Sequence, residues 1–284
     1  MKNLESYLKN KSLIRDRLSY DKAIMFTKLF ENSPFNYSYL KKKIPPMGWN
    51  WLYFPENYSI NDLGKDGHPK RGDFFPKFNG CKRMFAGSEV FFLENVTLDA
   101  NLTKTIEISN IENKSKSNKK LFFLTLKNTF KKKNKRVLIE NQKIVYLDKN
   151  HISTKRLSQN LDGYKMLSDI NFRFNNVILF KYSALTYNSH RIHYDIEYTR
   201  KEEGYKSLLV HGPLLASFLL EFFFSVIRNK DLKSFSFKII RPVYVNEKIT
   251  FEIYRNLKDF KNFKIIIINK KLREVKLMAN CNLK

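Results

Sequence analysis

The amino-acid sequence predicts an α+β fold in which two related modules each wrap an antiparallel sheet around a helix. Long segments in both halves alternate apolar and polar residues, as half-buried strands do. One strongly apolar segment of helical length opens at a His-Gly-Pro in the second half. Both halves also share one order of parts: an irregular or helical entry, a short segment around a glycine, and then several strands.

The first module is expected over residues 1–155. Apolar residues at helical spacing predict one or two helices within residues 3–32, and residues 48–78, which hold both tryptophans, predict a strand followed by a long ordered loop. Residues 81–95 form a short apolar segment around Gly87. Strands and basic turns then alternate: strands over 96–110, 119–130 and 136–147, and turns over 110–120 and 131–136.

The second module is expected over residues 156–284, because residues 148–170 are polar and irregular and the apolar pattern restarts at Phe172. A polar turn over 183–205 precedes a buried helix over about 211–228. Four strands follow, over 233–241, 248–256, 261–270 and 272–282. The segment KIIIINK is apolar on both faces, which is typical of a central strand.

The composition indicates a globular protein with a large excess of basic residues. Of 284 residues, 43% are hydrophobic and 25 are phenylalanine. The formal charge of +26 allows two interpretations: an acidic partner, such as nucleic acid, an anionic membrane surface or an acidic carrier protein, or a composition that spreads lysine over solvated faces. The lysines are dispersed and no RNA-recognition or zinc motif appears, so nucleic-acid binding is not expected.

Several features bear on the compartment. The two cysteines show neither metal spacing nor a disulfide framework, which indicates a reducing compartment. The N-terminal residues lack the apolar region of a secretory signal, and their acidic residues fit a mitochondrial presequence poorly. The apolar segment 213–227 is shorter than the ~20 residues of a membrane span and contains Glu221, so we expect no span there.

The stretch from Tyr182 to Phe224 carries the chemistry, because it holds three of the five histidines. Imidazole is the side chain best suited to proton transfer near neutral pH, and removal of water from a 3-hydroxyacyl thioester moves one proton from C2 to the C3 oxygen. We predict His193 as this base and acid, with Asn188 orienting the hydroxyl or water. A share for His190 or Asp195 stays open, and so do a structural role for each histidine and a metal site at His190-x-x-His193.

The thioester carbonyl must be polarised while enolate charge builds up. Gly212 opens the buried helix and Pro213 takes its first turn, so the backbone N–H of Gly212 is the predicted oxyanion donor. We predict further substrate contacts at His190, His211, Tyr187, Gly87 and Trp51. No cofactor and no metal are expected.

The sequence resembles the MaoC-like family of hot-dog hydratases. The elements are S-A-L-T-x-N-x-H-R-I-H-Y-D from residue 183, then E-G-Y and V-H-G-P-L, and upstream W-x-W-x-Y-F, L-G-x-D-G-x-P and K-R-M-x-A-G. It looks most similar to the fungal mitochondrial hydroxyacyl-thioester dehydratases of type 2, over residues 45–95 and 180–245. In the wider hydratase motif an aspartate stands at the position of Asn188, and an asparagine at that of His190.

The resemblance implies a double hot-dog fold and a hydro-lyase that dehydrates (3R)-3-hydroxyacyl thioesters of acyl carrier protein, or of CoA, in mitochondrial type II fatty acid synthesis. It implies the mitochondrial matrix, His193 as the catalytic histidine and Gly212 as the oxyanion glycine. The first module, which lacks a matching histidine turn, would supply the acyl-chain pocket. The chain would be a homodimer or a monomer with an internal pseudo-dimer. The alternatives are a hydratase of enoyl-CoA or dicarboxylic acyl-CoA, a non-catalytic basic scaffold and a nucleic-acid-binding protein.

Overall fold

The computed structural model describes residues 4–116, 119–148, 160–228 and 231–284. The predicted boundary between residues 155 and 156 lies outside these ranges. The described residues form a 10-stranded antiparallel sheet with five α-helices. The strands are β1 (Lys11–Arg17), β2 (Cys81–Phe92), β3 (Asn101–Asn113), β4 (Leu121–Lys132), β5 (Lys135–Asp148), β6 (Tyr164–Phe172), β7 (Leu232–Ile239), β8 (Ile249–Asn256), β9 (Asn262–Asn269) and β10 (Glu274–Leu283). The helices are α1 (Tyr20–Thr27), α2 (Trp49–Leu52), α3 (Asn176–Thr186), α4 (Ile196–Lys201) and α5 (Gly212–Val226).

The strand order shows two equivalent halves that meet in the middle of the sheet. The order is β1-β3-β4-β5-β2-β7-β10-β9-β8-β6, so β1 to β5 repeat the arrangement of β6 to β10 about the contact between β2 and β7. At this junction Gly87 pairs with Lys238 and Phe91 pairs with Ser234. A Cβ on Gly87, whose φ is +148°, would lie 2.1 Å from the Phe237 carbonyl oxygen, so the junction requires glycine there.

Helix α5 is the centre of the core and confirms the predicted buried helix. Its residues from Leu214 to Phe223 are all buried. The apolar ones among them belong to one cluster that includes Phe130 of the first half and Phe251 of the second half. Burial of each leucine or phenylalanine side chain stabilises the fold by about 1.5–3 kcal/mol. Within the described ranges, no helix has the combination of length and apolar character that crossing a bilayer requires.

The first half carries less helix than the second. Between β1 and β2 the chain forms only the eight residues of α1, the four residues of α2 and short 3₁₀ turns. Between β6 and β7, by contrast, α3 has 11 residues and α5 has 15. The 3₁₀ turns of the described chain are Leu4–Lys9, Lys28–Phe30, Ser38–Lys42, Ile60–Asp62 and Arg191–His193.

Most predicted strands are confirmed, including the central position of β9 between β8 and β10 and the tight basic turn between β4 and β5. Helix α1 confirms a helix within residues 3–32, and four segments differ from what the sequence indicated or left open. Residues 11–17, which lie within the segment of predicted helices, form edge strand β1, which pairs with β3 and whose residues alternate in burial. Residues 49–52, predicted to begin a strand, form one helical turn. Gly48, which precedes this turn, packs against Ser217 of α5, and a Cβ there would lie 2.5 Å from the Ser217 hydroxyl oxygen.

The other two corrections concern strands. The apolar segment around Gly87 is the long strand β2, which is paired on both sides with β5 and β7. Residues 164–170, the last part of the stretch expected to be irregular, belong to β6 at the other edge of the sheet. Its residues are only partly buried or exposed, so the apolar alternation that identifies a strand is weak there.

Glu221 is a buried carboxyl group on α5. The Tyr39 hydroxyl donates to its two oxygens at 2.9 and 3.1 Å. Burial raises the pKa of Glu221 from 4.5 to about 7, and the hydrogen bond from Tyr39 opposes this rise. Between these two pH values the folded protein binds more protons than the unfolded chain. Stability therefore falls as the pH rises through this window, and the cost is fully present above about pH 7.

We expect Glu221→Gln to be more stable than the wild type at pH 8, by about 2–3 kcal/mol. The amide oxygen still accepts a hydrogen bond from Tyr39, and the substitution removes the ionisation. The difference should shrink toward pH 4.5. Urea unfolding at pH 5 and pH 8 measures it, with the exposed Glu202→Gln as the control. A difference that is the same at both pH values would contradict the burial effect.

Candidate active site

A cavity of about 650 Å³ lies where the two halves of the protein meet. The first half contributes the aromatic segment around Trp51, the loop around His68 and Arg83 of β2. The second half contributes the histidine turn and the N-terminus of α5 at Gly212. A cavity of this size accommodates the reactive end of an acyl thioester.

Local hydrogen bonds fix the conformation of the histidine turn, residues 187–193. Helix α3 ends at Tyr187 in the left-handed conformation, with φ 54°. The Asn188 side-chain oxygen then accepts the backbone N–H of His190 at 2.9 Å. Farther along, the Arg191 guanidinium binds the Asp195 carboxylate at 2.6 Å, and Asp195 caps α4. Asn188 and Asp195 therefore shape the turn, and Asp195 is held away from proton transfer by its ion pair.

His193 has the geometry of a general base. Its Nδ1 lies 2.8 Å from the Leu209 carbonyl oxygen. Because a carbonyl only accepts, we assign the proton to Nδ1, which leaves the lone pair of Nε2 available. Burial lowers the pKa of His193 to about 4, so the imidazole is neutral at pH 7. A neutral, oriented imidazole beside the cavity is what abstraction of a proton from C2 requires.

The imidazole ring of His211 stacks on that of His193. The two rings stack with centroids 3.6 Å apart and planes inclined by 20°. The Nε2 of His211 lies 2.8 Å from the Ser183 hydroxyl of α3, and the side chain is fully buried. Burial and the neighbouring His193 hold the pKa of His211 well below its ordinary value. His211 thus lines the cavity and links α3 to the start of α5.

Gly212 lies at the crowded N-terminus of α5. A Cβ there would approach Phe85 Cδ1 to 2.7 Å and Ile239 Cδ1 to 2.8 Å. Pro213 follows in the first helical turn, and the first N–H groups of a helix lack intrahelical partners. The helix therefore presents its positive end to the cavity, where it can stabilise a developing oxyanion.

Three of the remaining residues predicted to contact the substrate line the cavity, and one does not. His190 and Tyr187 both line the cavity, His190 buried and Tyr187 64% exposed at its surface. Trp51 also lines it, and its indole N–H donates to buried Glu140 at 2.7 Å, so the ring and not its polar edge is available to a ligand. Gly87 does not line this cavity: it lies in the junction between β2 and β7.

The structure adds a loop from the first half that sequence reasoning did not identify as part of the site. The ring centroids of His68 and His190 lie 3.9 Å apart, and those of His190 and His193 lie 5.4 Å apart. The loop, residues 64–68, is held by backbone contacts: the Arg191 N–H donates to the Asp66 carbonyl at 3.0 Å, and the Ser189 hydroxyl donates to the Gly67 carbonyl at 2.6 Å. The signal was the sequence D-G-H-P within a long ordered loop.

Asp66 and His68 in this loop differ in their ionisation at neutral pH. Burial opposes ionisation of Asp66, but hydrogen bonds and the charges of His68 and Arg71 outweigh it and lower the pKa of Asp66 to about 2. Burial and the charge of Arg83 lower the pKa of His68, while Asp66 opposes this shift. Asp66 is therefore a carboxylate at pH 7, and His68 is a largely neutral imidazole beside it.

Asp66, His68 and His190 are the residues that could hold a metal ion, because their ligand atoms all lie within 4.8 Å of one another. The Arg71 guanidinium lies 3.5 Å from the Asp66 carboxylate. Arg83 lines the same cavity, and its charge lowers the pKa of both histidines. Two fixed positive charges oppose a further cation, so the arrangement fits an acid–base cluster better than a metal centre.

Comparison with known proteins identifies relatives of the chain. The family described as hydroxyacyl-thioester dehydratase type 2 matches residues 48–245. A mesaconyl-C(4)-CoA hydratase of Chloroflexus aurantiacus is 33% identical over 204 residues, which are 71% of each chain. A mitochondrial hydroxyacyl-thioester dehydratase type 2 of Schizosaccharomyces pombe is 40% identical over 75 residues, which are 26% of this chain and 25% of that protein. The expected family is confirmed, whereas a specifically fungal origin is not shown.

Solved structures confirm the double hot-dog fold. A MaoC-like dehydratase of Phytophthora capsici superposes with a TM-score of 0.72 and 14% identity, covering 99% of this chain and 98% of that one. A Mycobacterium tuberculosis protein described as having a double hot-dog fold superposes with a TM-score of 0.59 and 9% identity, covering 98% of each chain.

The docking of the loop can be tested at Gly67. A Cβ at this residue, whose φ is +83°, would lie 1.9 Å from the Ser189 carbonyl oxygen. Gly204 has a similar φ of +70° and open space around it, so Gly204→Ala should cost only the backbone strain of about 1–2 kcal/mol. Gly67→Ala should destabilise by about 1–3 kcal/mol more than this control.

Urea unfolding measures the free-energy difference between the two variants. Hydrogen–deuterium exchange should show faster exchange over residues 64–68 and 188–191 in Gly67→Ala alone. Equal stability and equal exchange in both variants would show that the loop does not depend on this close contact.

Proposed function

The chain belongs to the hydroxyacyl-thioester dehydratase type 2 family, and from this premise we propose that it removes water from (3R)-3-hydroxyacyl thioesters to give trans-2-enoyl thioesters. The observation that carries the proposal is the juxtaposition, in one cavity, of the neutral His193 imidazole and the N-terminus of α5. The first can take a proton and the second can stabilise the enolate that results.

The proposed reaction moves one proton within the substrate. The Nε2 of His193 takes the proton from C2, and negative charge builds on the thioester oxygen near Gly212. The electron pair left at C2 then forms the C2=C3 bond as the C3–O bond breaks. The imidazolium returns its proton to the departing oxygen, which leaves as water. His193 ends neutral, ready for the next substrate.

Acyl carrier protein is the proposed carrier of the substrate. The charge of +26 favours an acidic partner, and basic side chains can bind both the carrier and the phosphate of its pantetheine arm. We also propose that the protein acts in mitochondrial fatty acid synthesis and is located in the mitochondrial matrix. The partial similarity to the yeast enzymes supports both points. The paired halves support a monomer with an internal pseudo-dimer, and a homodimer is the alternative state.

His193→Ala tests the proposed base. We expect kcat for (3R)-hydroxyacyl-carrier protein to fall at least about 10³-fold, because no other described side chain has the position of this imidazole. Circular dichroism and the unfolding midpoint report whether the variant folds. Lys201→Gln, an exposed substitution on α4, is the matched control and should keep wild-type turnover. Near-normal turnover by folded His193→Ala would refute the assignment.

The same assay decides the carrier. Carrier-protein and CoA thioesters of equal acyl length are compared at low and high salt. A lower KM for the carrier-protein thioester, lost at high salt, is expected if the basic surface binds the carrier. Equal KM values at all salt concentrations would contradict recognition of the carrier.

A second candidate function is hydration of a dicarboxylic acyl-CoA, as the name of the Chloroflexus relative describes for that protein. The specific observation is Arg83, which lines the cavity and whose charge lowers the pKa of His68 and His190. Its guanidinium lies over the Phe75 ring at 4.6 Å. A guanidinium so placed could bind a carboxylate at the far end of the acyl group.

Arg83→Gln distinguishes the two candidates. If the substrate carries a distal carboxylate, KM for a 2-enoyl-CoA with that carboxylate should rise about 10- to 100-fold, as expected from loss of a charged hydrogen bond. KM for an uncharged enoyl-CoA of the same length should change less than about threefold. Arg136→Gln, exposed on β5, serves as the control. Parallel changes for both substrates would remove the second candidate.

A further inference from the structure

The histidine turn offers no free carboxylate to the cavity, because Asp195 is held in an ion pair with Arg191 and Asn188 is an amide. The oxygen of its amide already accepts the N–H of His190. An orienting acceptor must therefore come from elsewhere in the cavity. The loop of residues 64–68 is the part of the first half that contacts this turn most closely.

We propose that His68, oriented by Asp66, accepts a hydrogen bond from the C3 hydroxyl of the substrate, so that the active site is composed of residues from both halves of the chain. This inference rests on the proposed function. It assigns the loop of residues 64–68 to catalysis and not only to the wall of the pocket.

The surroundings of His68 favour one tautomer. Its Nδ1 has no hydrogen-bond partner among the described residues, and the nearest carboxylate oxygen, Oδ2 of Asp66, lies 3.8 Å away. Movement of less than 1 Å closes this contact into a hydrogen bond, with Nδ1–H donating to the carboxylate. The lone pair of Nε2 then remains as the acceptor. Asp66 stays in place because its own oxygen accepts the backbone N–H of His68 at 3.0 Å.

Burial and the charge of Arg83 lower the pKa of His68 and keep this acceptor available at neutral pH. Asp66 and Glu56 oppose this shift, because their negative charges favour protonation of the ring. His190 lies against the ring, and the Arg71 guanidinium lies 3.5 Å from Oδ2 of Asp66, the same oxygen that faces His68. The hydroxyl proton of the substrate points at Nε2 of His68. The oxygen lone pair is thereby free to receive the proton that His193 took from C2, so the C3–O bond breaks with water as the leaving group.

Two substitutions separate this role from packing. His68→Phe keeps a flat ring and removes the acceptor, whereas His68→Gln keeps an acceptor oxygen and removes the titration. We expect kcat to fall about 100-fold in His68→Phe and less than about tenfold in His68→Gln, with KM within threefold of wild type in both. Asp66→Asn, which keeps the acceptor for the His68 N–H, should lower kcat about tenfold.

The pH dependence gives a second measurement. In the wild type both His68 and His193 must be neutral, so the acid limb of log kcat/KM should fall with a slope approaching two. In His68→Gln the titration of His68 is removed, and the slope should fall by about one. A merely structural role of His68 would leave the slope unchanged.

Three outcomes would overturn the inference. The first is a kcat of His68→Phe within threefold of the wild-type value while His193→Ala is inactive. This result would exclude a catalytic role for His68 and leave the proposed function intact. The second is an equal loss in His68→Gln and His68→Phe, which would indicate packing. The third is loss of activity on chelation with restoration by Zn²⁺, because Asp66, His68 and His190 would then bind a cation. If the wild type dehydrates none of the thioesters tested, the proposed function itself fails and the inference fails with it.

Discussion

The pairing of β2 with β7 is the interaction on which the rest of the site depends. It joins the two halves into one sheet, and it is possible because Gly87 has no side chain to meet the Phe237 carbonyl. The long loop that precedes β2 is thereby brought over the second half. Phe85, two residues before Gly87, in turn contacts Gly212 at the start of α5. The sheet junction thus places Phe85 beside the helix N-terminus that borders the cavity.

Burial then determines the chemistry that the cavity can perform. His190, His193 and His211 are nearly inaccessible, and burial lowers the pKa of each. Proximity of the rings adds to this effect, because a proton on one disfavours a proton on the next. The cluster therefore stays neutral near pH 7 and can accept a proton from the substrate. The same burial excludes bulk water, which strengthens the interaction of a developing oxyanion with the helix N-terminus.

The sequence was sufficient where the signal is local. The apolar segment that opens at Gly212 predicted α5, and local patterns of apolar residues predicted β3, β4, β5 and the last four strands. The sequence was insufficient at β1 and β6, which are edge strands with little apolar alternation in their sequences, and at the single helical turn of residues 49–52. His68 was missed because it lies more than a hundred residues from His190 in the chain and only the docked loop brings the rings together.

Asn188 shows why a motif cannot be assigned to a function one residue at a time. Its amide oxygen is used to shape the turn that presents His190 and His193. An aspartate could accept the same N–H, so the turn does not require asparagine for its shape. What asparagine changes is the charge: it leaves the histidine turn without an anion, while the nearby carboxylate of Asp66 lies on the opposite loop, held by Arg71 and close to His68. Under the proposed role of His68, the negative charge that orients its ring is supplied across the interface between the halves, and the correct juxtaposition of the halves is then a condition of catalysis.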